Sequence, residues 1–416
     1  MTDAVTSRPD GRSAALVFIF ITVVLDVLAF GVVIPVLPRL IEQFRGGDTA
    51  LAAETWGVFA TAWALMQFLW APLLGAASDR WGRRPILLLS CAGLGLDYIV
   101  MALAPTLGWL LVGRILSGIT ASSFSVAAAY VADVTPPERR AAGYGTLGAA
   151  FGLGFVVGPA LGGLLGGVDP RLPFWVAASL ALASAVYGLF VLPESLPPER
   201  RSPFLWSRAN PFGALTLLRT YPGLMGLAGV NLLFQLARYV LPSVFVLYTG
   251  YRYGWSPETT GLTLTFTGTL NVLVEGFLVR RFVQRHGERL AMYGGLACGT
   301  VGFLWMALAP TAGWFWAGMP VFALMGLFNP GLQSVMTQRV AATEQGRLQG
   351  ANTSIIGIAG LFAPALFTGS FAWSIGGGPG WHLPGAPFLI AASLTFAALV
   401  AVWRLTRTPA PVPVPG

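Results

Sequence analysis

Long apolar runs separated by short polar segments dominate this sequence. A helix needs about 20 apolar residues to cross the hydrocarbon core of a bilayer, and these runs reach that length, with charges clustered between them. The pattern therefore predicts an all-α integral membrane protein with twelve transmembrane helices. The predicted spans are residues 14–37, 54–76, 86–105, 107–131, 142–166, 173–192, 221–249, 258–280, 290–310, 313–337, 350–373 and 385–404.

The polar segment from Gly75 to Pro85 separates the second and third predicted spans. We interpret it as a tight hairpin loop, because its two glycines allow the backbone to turn and Pro85 suits the first turn of a helix. Its three arginines predict that the loop lies on the cytoplasmic side of the membrane.

Composition supports this class of protein. The chain is 55% hydrophobic and 10% charged, which excludes an ordinary soluble domain. All 25 basic residues are arginines, and most fall in segments predicted to be cytoplasmic. This asymmetry explains the net charge of +8 without a nucleic-acid partner. It predicts that both termini are cytoplasmic, and the lysine-free usage favours a bacterial inner membrane.

The cysteines and histidines do not form a metal site or a disulfide framework. Cys91 and Cys298 lie in apolar runs, while His286 and His382 lie in separate loops without a second ligand nearby. The sequence also lacks a Ser/His/Asp arrangement and a Gly-rich phosphate loop. We therefore predict no metal, no cofactor and no enzymatic activity.

An internal repeat divides the chain. The segment from Met101 to Thr106 recurs from Met306 to Thr311, an offset of 205 residues, and Pro159-Ala160-Leu161 recurs at the same offset. Six spans separate the copies, so the halves are predicted to be parallel repeats with the substrate site between them. The predicted domains are a six-helix bundle (1–192), a cytoplasmic linker (193–220) and a second six-helix bundle (221–416).

Ionisable residues inside the predicted spans are costly to bury and therefore mark function. Asp26 lies near the middle of the first span, Asp97 in the third and Arg114 in the fourth. We predict that the two acids handle protons or substrate. The alternative is a structural role, in which helix–helix hydrogen bonds satisfy the acids or one of them pairs with Arg114.

Polar side chains in the other spans are candidates for lining a substrate cavity. Arg238 in the seventh span could meet a polar or anionic substrate, or it could extend to the outer surface. The remaining candidates of this kind are Gln67, Asn231, Gln235, Asn271, Asn329 and Gln333.

Three motifs resemble those of the major facilitator superfamily. The hairpin segment resembles its loop signature between helices two and three. The run from Gly113 to Gly118 around Arg114 resembles its fourth-helix motif, which implies proton coupling. The fifth span resembles its exporter-associated motif, although close helix packing alone would also explain these glycines. The residues predicted to act in gating are Gly75, Asp79, Arg80, Gly82, Arg83, Arg84, Asp133, Gly154, Gly158, Pro159 and Gly162.

The resemblance narrows to the tetracycline-exporter group of drug/proton antiporters, through Leu25-Asp26 and Pro35 to Pro38 among other segments. The second half departs from that group. The ninth helix lacks the group's acid, and Asn271 stands where its eighth-helix histidine is expected. Glu275 lies one turn further on, and we hypothesise that it replaces the acid in proton coupling. The alternative is an ion pair with Arg280 or Arg281.

Together these patterns predict a proton-coupled transporter that exports a small amphipathic drug-like molecule by alternating access. Tetracycline, carried as a metal chelate, is one possible cargo. The alternatives are a proton-coupled uptake carrier for a metabolite and a non-transporting receptor or scaffold. We expect Asp79 and Arg83 to pair with Asp133, Glu138 or a helix end of the other half when the inner side closes. We expect a monomer in the lipid bilayer.

Overall fold

The computed structural model describes residues 11–121, 123–136, 139–204, 213–221, 223–341, 344–376 and 382–407. Twelve spans within these residues are long and apolar enough to cross a membrane, and none of the described residues forms a β-strand. The protein is therefore a multi-pass, all-α membrane protein, as the hydrophobic pattern predicts.

Seven spans are single helices, some of which extend well beyond the apolar run. The second span has 33 residues, because its polar ends continue the helix past the predicted limits of 54 and 76. The seven, from the second span to the twelfth, are Thr49–Trp81, Arg83–Leu103, Arg140–Val168, Leu172–Val191, Glu288–Leu308, Gln345–Ile375 and Ala386–Arg407.

Five spans are interrupted. The first consists of Gly11–Val33 and Leu37–Phe44, the fourth of Leu107–Thr120 and Ser123–Val134, and the seventh of Leu224–Arg238 and Val240–Tyr253. The eighth consists of Pro257–Leu273, a π-helical turn Val274–Leu278 and Val279–His286. The tenth consists of Ala312–Ala323, a 3₁₀ turn Leu324–Leu327 and Phe328–Thr337.

The internal repeat is visible in the backbone. The third and ninth spans each have 21 residues and begin directly after Gly82 and Gly287, which have φ angles of 106° and 82°. Both glycines occupy a conformation that L side chains rarely adopt. The two turns are separated by the same 205 residues as the sequence repeat, so the two six-span halves begin their third helices in the same way.

The hairpin loop is shorter than predicted. The second span remains helical through Gly75 to Trp81, so Gly82 alone makes the turn. Pro85 lies in the first turn of the third span, where its missing N–H costs little. The error arises because hydropathy reports contact with lipid, whereas a helix continues into water as long as its backbone groups are paired.

Most contacts between the first and last six spans follow two pairs of helices, and the seventh span adds smaller contacts with the first and second. The fifth span packs along the eighth, and the second packs along the eleventh. A Cβ at Gly163 would lie 2.5 Å from the Pro257 carbonyl oxygen, and one at Gly57 would overlap Thr368. These contacts lie toward the far end of the bundle, which we define as the end opposite the Gly82 and Gly287 turns (the hairpin end).

The predicted linker is attached to the spans at both of its ends. The carboxylate of Glu194 accepts hydrogen bonds from the backbone N–H groups of Arg83 (2.8 Å) and Arg84 (3.3 Å). Near the other end, the Tyr221 hydroxyl donates to Glu344 (2.5 Å), which raises the pKa of Tyr221. Residues 205–212 lie outside the described residues, and the domain limits stay a prediction.

Candidate functional site

The three ionisable residues predicted in the first half are all buried. Asp26, Asp97 and Arg114 expose 6%, 0% and 6% of their surfaces. They come from the first, third and fourth spans, and a Cβ at Gly113, the residue before Arg114, would lie 3.4 Å from the Asp97 carbonyl oxygen. The fold therefore places Asp97 and Arg114 in one charged region inside the first half.

Aromatic faces surround the guanidinium of Arg114. Its central carbon lies 5.7 Å from the ring centre of Trp56 and 5.4 Å from that of Trp63. Neither oxygen of Asp97 has a hydrogen-bond partner among the described residues, and their ion pairs do not include Asp97–Arg114. Arg114 therefore packs against two indole faces, and the choice between a coupling role and a structural role stays a prediction.

The Asp26 carboxylate has a neighbour that sequence reasoning missed. The Cys91 thiol from the third span donates to Oδ2 of Asp26 at 3.4 Å, and the Ser184 hydroxyl from the sixth span donates to the Cys91 sulfur at 3.7 Å. Cys91 and Ser184 expose 1% and 0%. No sequence signal indicates this contact, because a lone cysteine in an apolar run is usually a packing residue.

Three of the predicted cavity residues instead form a buried chain of amides in the second half. Gln235 donates to Asn231 (3.2 Å), Asn231 donates to Asn352 (3.1 Å), and Asn352 donates to Gln333 (2.9 Å). These contacts join the seventh, tenth and eleventh spans. Asn352 was missed by the sequence reasoning. A substrate role for these amides stays a prediction, since the Asn231–Asn352 and Asn352–Gln333 hydrogen bonds already serve helix packing.

The other second-half candidates line a single pocket. Arg238, Asn271, Glu275 and Asn329 come from the seventh, eighth and tenth spans and face the same space, together with Phe234 and Phe322. The ion pairs of the described residues do not include Glu275 with Arg280 or Arg281. Glu275 therefore lies with the polar residues of the pocket, and its role in proton coupling stays a prediction.

Gln67 lies apart from this pocket, in the first half. Its amide donates to the carbonyl oxygen of Ala121 at 3.3 Å, where the fourth span is interrupted. The contact satisfies a carbonyl that the broken helix leaves unpaired. The predicted cavity residues are thus divided among three places.

The gating residues at the hairpin end form an ionic cluster. Arg83 contacts Asp79 (2.6 Å) and Asp133 (3.0 Å), and it donates to the Ser78 hydroxyl (2.6 Å). All four residues belong to the first half, so in this conformation the cluster joins its second, third and fourth spans instead of reaching the other half. Glu138 lies outside the described residues.

The neighbouring arginines have separate contacts. The guanidinium of Arg80 lies 5.5 Å from the ring centre of Trp81, and that of Arg84 donates to the Leu189 carbonyl oxygen in the sixth span. Gly75 has no described atom within 4 Å of the position of a Cβ. Its predicted gating role therefore has no close contact in this conformation.

The glycines of the fifth span allow the first span to pack closely against it. A Cβ at Gly154 would lie 2.8 Å from Val27, one at Gly158 would lie 2.8 Å from Gly31, and one at Gly162 would overlap the Val32 backbone. On the opposite face, the Pro159 carbonyl oxygen fills the space beside Gly261 of the eighth span. The fifth span therefore connects the helix that carries Asp26 to the second half.

Comparison with known proteins identifies the family. Residues 19–364 match the Major Facilitator Superfamily. The chain belongs to this superfamily. It is 36% identical to the tetracycline resistance protein, class C, of Escherichia coli, over 94% of this chain and 96% of that protein. It is 27% identical to multidrug resistance protein 2 of Bacillus subtilis, over 82% and 84%.

Solved structures of superfamily proteins show the same fold. The nucleoside transporter NupG (a D323A mutant) superposes with a TM-score of 0.78 at 12% identity, covering 94% of this chain and 99% of that one. The human organic anion transporter MFSD10 superposes with a TM-score of 0.69 at 24% identity, over 94% and 100%. These comparisons confirm the predicted superfamily fold and the tetracycline-exporter resemblance, whereas the roles of individual residues stay predictions.

Among the described residues, no group of three or more His, Cys, Asp or Glu side chains could hold a metal ion.

Proposed function

We propose that this protein exports a small amphipathic, drug-like molecule across the bacterial inner membrane in exchange for protons. The observation that carries the proposal is the buried carboxylate of Asp26 in the helix that the fifth span connects to the second half. The relatives of this chain that are named for tetracycline and multidrug resistance support export of a drug-like cargo. Tetracycline itself, as a metal chelate, is one candidate.

The proposed coupling mechanism follows from the positions of Asp26, Asp97 and Arg114 in the first half. A proton that binds Asp97 removes a negative charge near Arg114, and a proton that binds Asp26 removes a buried negative charge from the first span; either one changes the balance of charge inside the first half. The first span transmits the change to the fifth span through their glycine contacts, and the fifth span rests on the eighth. Protonation would thereby bias the two halves between inward-open and outward-open arrangements.

The remaining gating and coupling roles are part of this proposal. The Asp79–Arg83–Asp133 cluster would hold the hairpin end of the first half together while the halves rock. Glu275 would supply a second carboxylate in the other half. We place both termini in the cytoplasm and take the monomer as the working unit.

The first test identifies a drug that the protein exports. A strain without its own exporters would express the protein and be screened against a panel of drugs that includes several tetracyclines. We expect raised resistance to at least one of them. Inside-out vesicles would then report exchange: when this drug is added to acidified vesicles, it should enter the lumen as protons leave.

Substitution of Asp26 tests the coupling. Asp26→Asn keeps the size of the side chain but removes the proton site, and we expect it to abolish drug-dependent proton release. Asp48→Asn is the control, because Asp48 lies in an exposed turn where asparagine caps the second span equally well. Undiminished exchange by Asp26→Asn would exclude Asp26 as the coupling site. Movement of substrate and protons in the same direction would support the alternative, an uptake carrier.

A further inference from the structure

The corner where the ninth and tenth spans meet at the hairpin end differs in charge from its counterpart in the first half. At the offset of 205 residues, Glu288 corresponds to Arg83 and Gln338 corresponds to Asp133. The Gln338 amide donates to Glu288 at 3.1 Å, in the place of the 3.0 Å ion pair between Arg83 and Asp133. The second half therefore keeps the contact between these helix ends but has no arginine in it.

Two arginines lie beside this contact. Arg289 follows Glu288 in the first turn of the ninth span and is exposed, and Arg339 lies just beyond the tenth span and is half-buried. The hydrogen bonds and ion pairs of the described residues include neither guanidinium group. Burial and the positive charge of Arg289 lower the pKa of Arg339. The two cations are therefore close enough to repel each other.

The nearby acidic side chains have partners of their own. Glu288 accepts hydrogen bonds from Gln338 and from the Ser334 hydroxyl, on the side that faces the tenth span. Glu344, further along the chain, forms an ion pair with Arg347 at 2.6 Å. Neither carboxylate therefore balances the charges of Arg289 and Arg339 through a direct contact.

The corresponding helix start in the first half is neutralised by the linker. The Glu194 carboxylate accepts hydrogen bonds there from the backbone N–H groups of Arg83 and Arg84. The ninth span, in contrast, begins without a hydrogen bond from a capping side chain. No Asp or Glu occurs in the parts of the linker and second half that lie outside the described residues, which are 205–212, 222, 342–343, 377–381 and 408–416.

Arg339 also lies at the start of the seventh span. A Cβ at Gly223 would lie 2.7 Å from Nη1 of Arg339, and Gly223 directly precedes the helix Leu224–Arg238. The N-terminal end of a helix carries partial positive charge, which is unfavourable for a cation and favourable for an anion. An anion between Arg289 and Arg339 would therefore be stabilised by both guanidinium groups and by this helix.

The same corner borders the lipid. The ninth and twelfth spans pack mainly within the second half, and the Tyr293 and Thr406 hydroxyls join them near the hairpin end. Leu290, directly after Arg289, and Trp403 of the twelfth span are both exposed. Tryptophan is frequent at the interface between membrane and water, and the cytoplasmic leaflet is rich in anionic lipids. A lipid headgroup is therefore the anion that this position favours.

We propose that this corner binds the phosphate group of an anionic phospholipid, with Arg289 and Arg339 donating to its oxygens. A guanidinium group matches phosphate geometry because it presents paired N–H donors. The bound phosphate would remove the repulsion between the two arginines and would connect the starts of the seventh and ninth spans. The inference adds a lipid site to the protein and does not depend on the proposed export function.

Two lipids with the same acyl chains test the charge requirement. Phosphatidylglycerol and phosphatidylcholine both contain a phosphate, but the choline group cancels the net charge of the second lipid. Native mass spectrometry of the full chain, purified in detergent and mixed with both lipids, would measure which of them binds first. We expect a preference of about tenfold for phosphatidylglycerol, which is the typical worth of one hydrogen bond to a charged group.

Substitutions assign this preference to the corner. Arg289→Gln and Arg339→Gln should each remove most of it, whereas Arg339→Lys should keep part of it because the charge remains. Arg281→Gln is the control, since it removes an exposed arginine from the hairpin end of the eighth span in the same half. This variant should retain the preference of the wild type.

Thermal unfolding separates lipid binding from a structural role of the arginines. Without lipid, Arg289→Gln should unfold at the wild-type temperature or slightly above it, because the substitution removes one of two charges that repel each other. Added phosphatidylglycerol should raise the unfolding temperature of the wild type more than that of Arg289→Gln. Inorganic phosphate, added in its place, should stabilise the wild type less than the lipid does.

The inference would be overturned if the wild-type protein did not prefer phosphatidylglycerol, or if Arg281→Gln reduced the preference as much as Arg289→Gln. Lower unfolding temperatures of Arg289→Gln and Arg339→Gln without lipid would assign the two arginines a role in the fold instead. Equal stabilisation by inorganic phosphate would identify the ligand as free phosphate and exclude the lipid. None of these results affects the export proposal, which Asp26→Asn tests separately.

Discussion

At the scale of single residues, the charged groups inside the spans differ in how they are stabilised. Asp26 receives a hydrogen bond from Cys91, whereas Arg114 is balanced by the charge of Asp97 and by two indole faces. Arg238 and Glu275 face an open pocket instead. The charged groups of the first half are thus enclosed by their neighbours, whereas those of the second half line a pocket.

The Cys91 thiol should help to position Asp26. Cys91→Ala removes the donor, and we expect drug-dependent proton release to slow about threefold to tenfold, since one hydrogen bond is worth about 1 kcal/mol. Cys91→Ser keeps a donor of similar size and should retain most of the rate. The initial rate in inside-out vesicles measures the effect.

A loss of packing must be separated from a loss of positioning. Cys298→Ala is the matched control, because Cys298 is the other free cysteine and is only partly buried. If Cys91→Ala and Cys298→Ala slowed exchange equally, or if Cys91→Ser were as slow as Cys91→Ala, a positioning role for the thiol would be wrong.

At the scale of helices, hydropathy predicted the number and order of the spans but not their breaks. Proline and glycine are the usual signals of a helix break, and both occur here: Pro242 follows the break at Tyr239 by three residues, and Gly276 lies within the π-helical turn. Pro72 would predict a kink, but the second span has no break there. Proline and glycine therefore mark places where a helix can break, and tertiary contacts decide which of these places does break.

Only part of the candidate site could be predicted from the sequence. Asp26, Asp97 and Arg114 could be found because a charge in an apolar run is conspicuous. The grouping of Arg238 with Glu275 could not be found, since 37 positions separate them in the sequence and three helices must meet to form the pocket. Cys91, Ser184 and Asn352 carried no signal at all, because their residue types are common in packed helices.

The fifth span provides a prediction about helix packing. Gly162→Ala would place a methyl group against the Val32 backbone, which cannot move aside as a side chain would. We expect a loss of stability of about 1–3 kcal/mol, measured as a lower unfolding temperature in detergent and a lower yield of folded protein.

Gly148→Ala is the control for this effect, since Gly148 lies in the same helix with open space at its Cβ position. Alanine is the better helix former by about 1 kcal/mol, so this variant should be as stable as the wild type or slightly more stable. Equal unfolding temperatures for the two variants would show that the first and fifth spans do not require the close approach.

At the scale of the whole molecule, the two halves are closed at one end. Close contacts join the fifth span to the eighth and the second to the eleventh toward the far end. At the hairpin end, Gly75 of the second span and Gly346 of the eleventh have no described atom within 4 Å of their Cβ positions. This arrangement corresponds to the inward-open state if the hairpin end is cytoplasmic, and export requires the far end to open in turn.

Arg39 bridges the two halves at the far end, and we expect this contact to favour the closed arrangement. Its guanidinium donates to the Trp255 carbonyl oxygen of the second half at 2.6 Å, contacts Glu42 at 3.0 Å and occupies the space beside Gly250. A charged hydrogen bond of this kind is worth about 1.5–3 kcal/mol. Arg39→Gln should therefore increase the proportion of molecules open at the far end roughly tenfold or more.

Spin labels at two exposed positions of opposite halves would measure this opening. The labels would be attached to cysteines introduced at Leu51 and Trp373, in a background with Cys91→Ser and Cys298→Ser. These two positions lie on the second and eleventh spans near the far end. Arg45→Gln is the control, because Arg45 donates to Thr55 within the first half. The population of longer distances between the two labels should increase for Arg39→Gln but not for Arg45→Gln. The reason is that Arg39 contacts the second half, whereas Arg45 contacts Thr55 in its own half. An unchanged distribution, or the same widening for Arg45→Gln, would mean that this contact does not hold the far end closed.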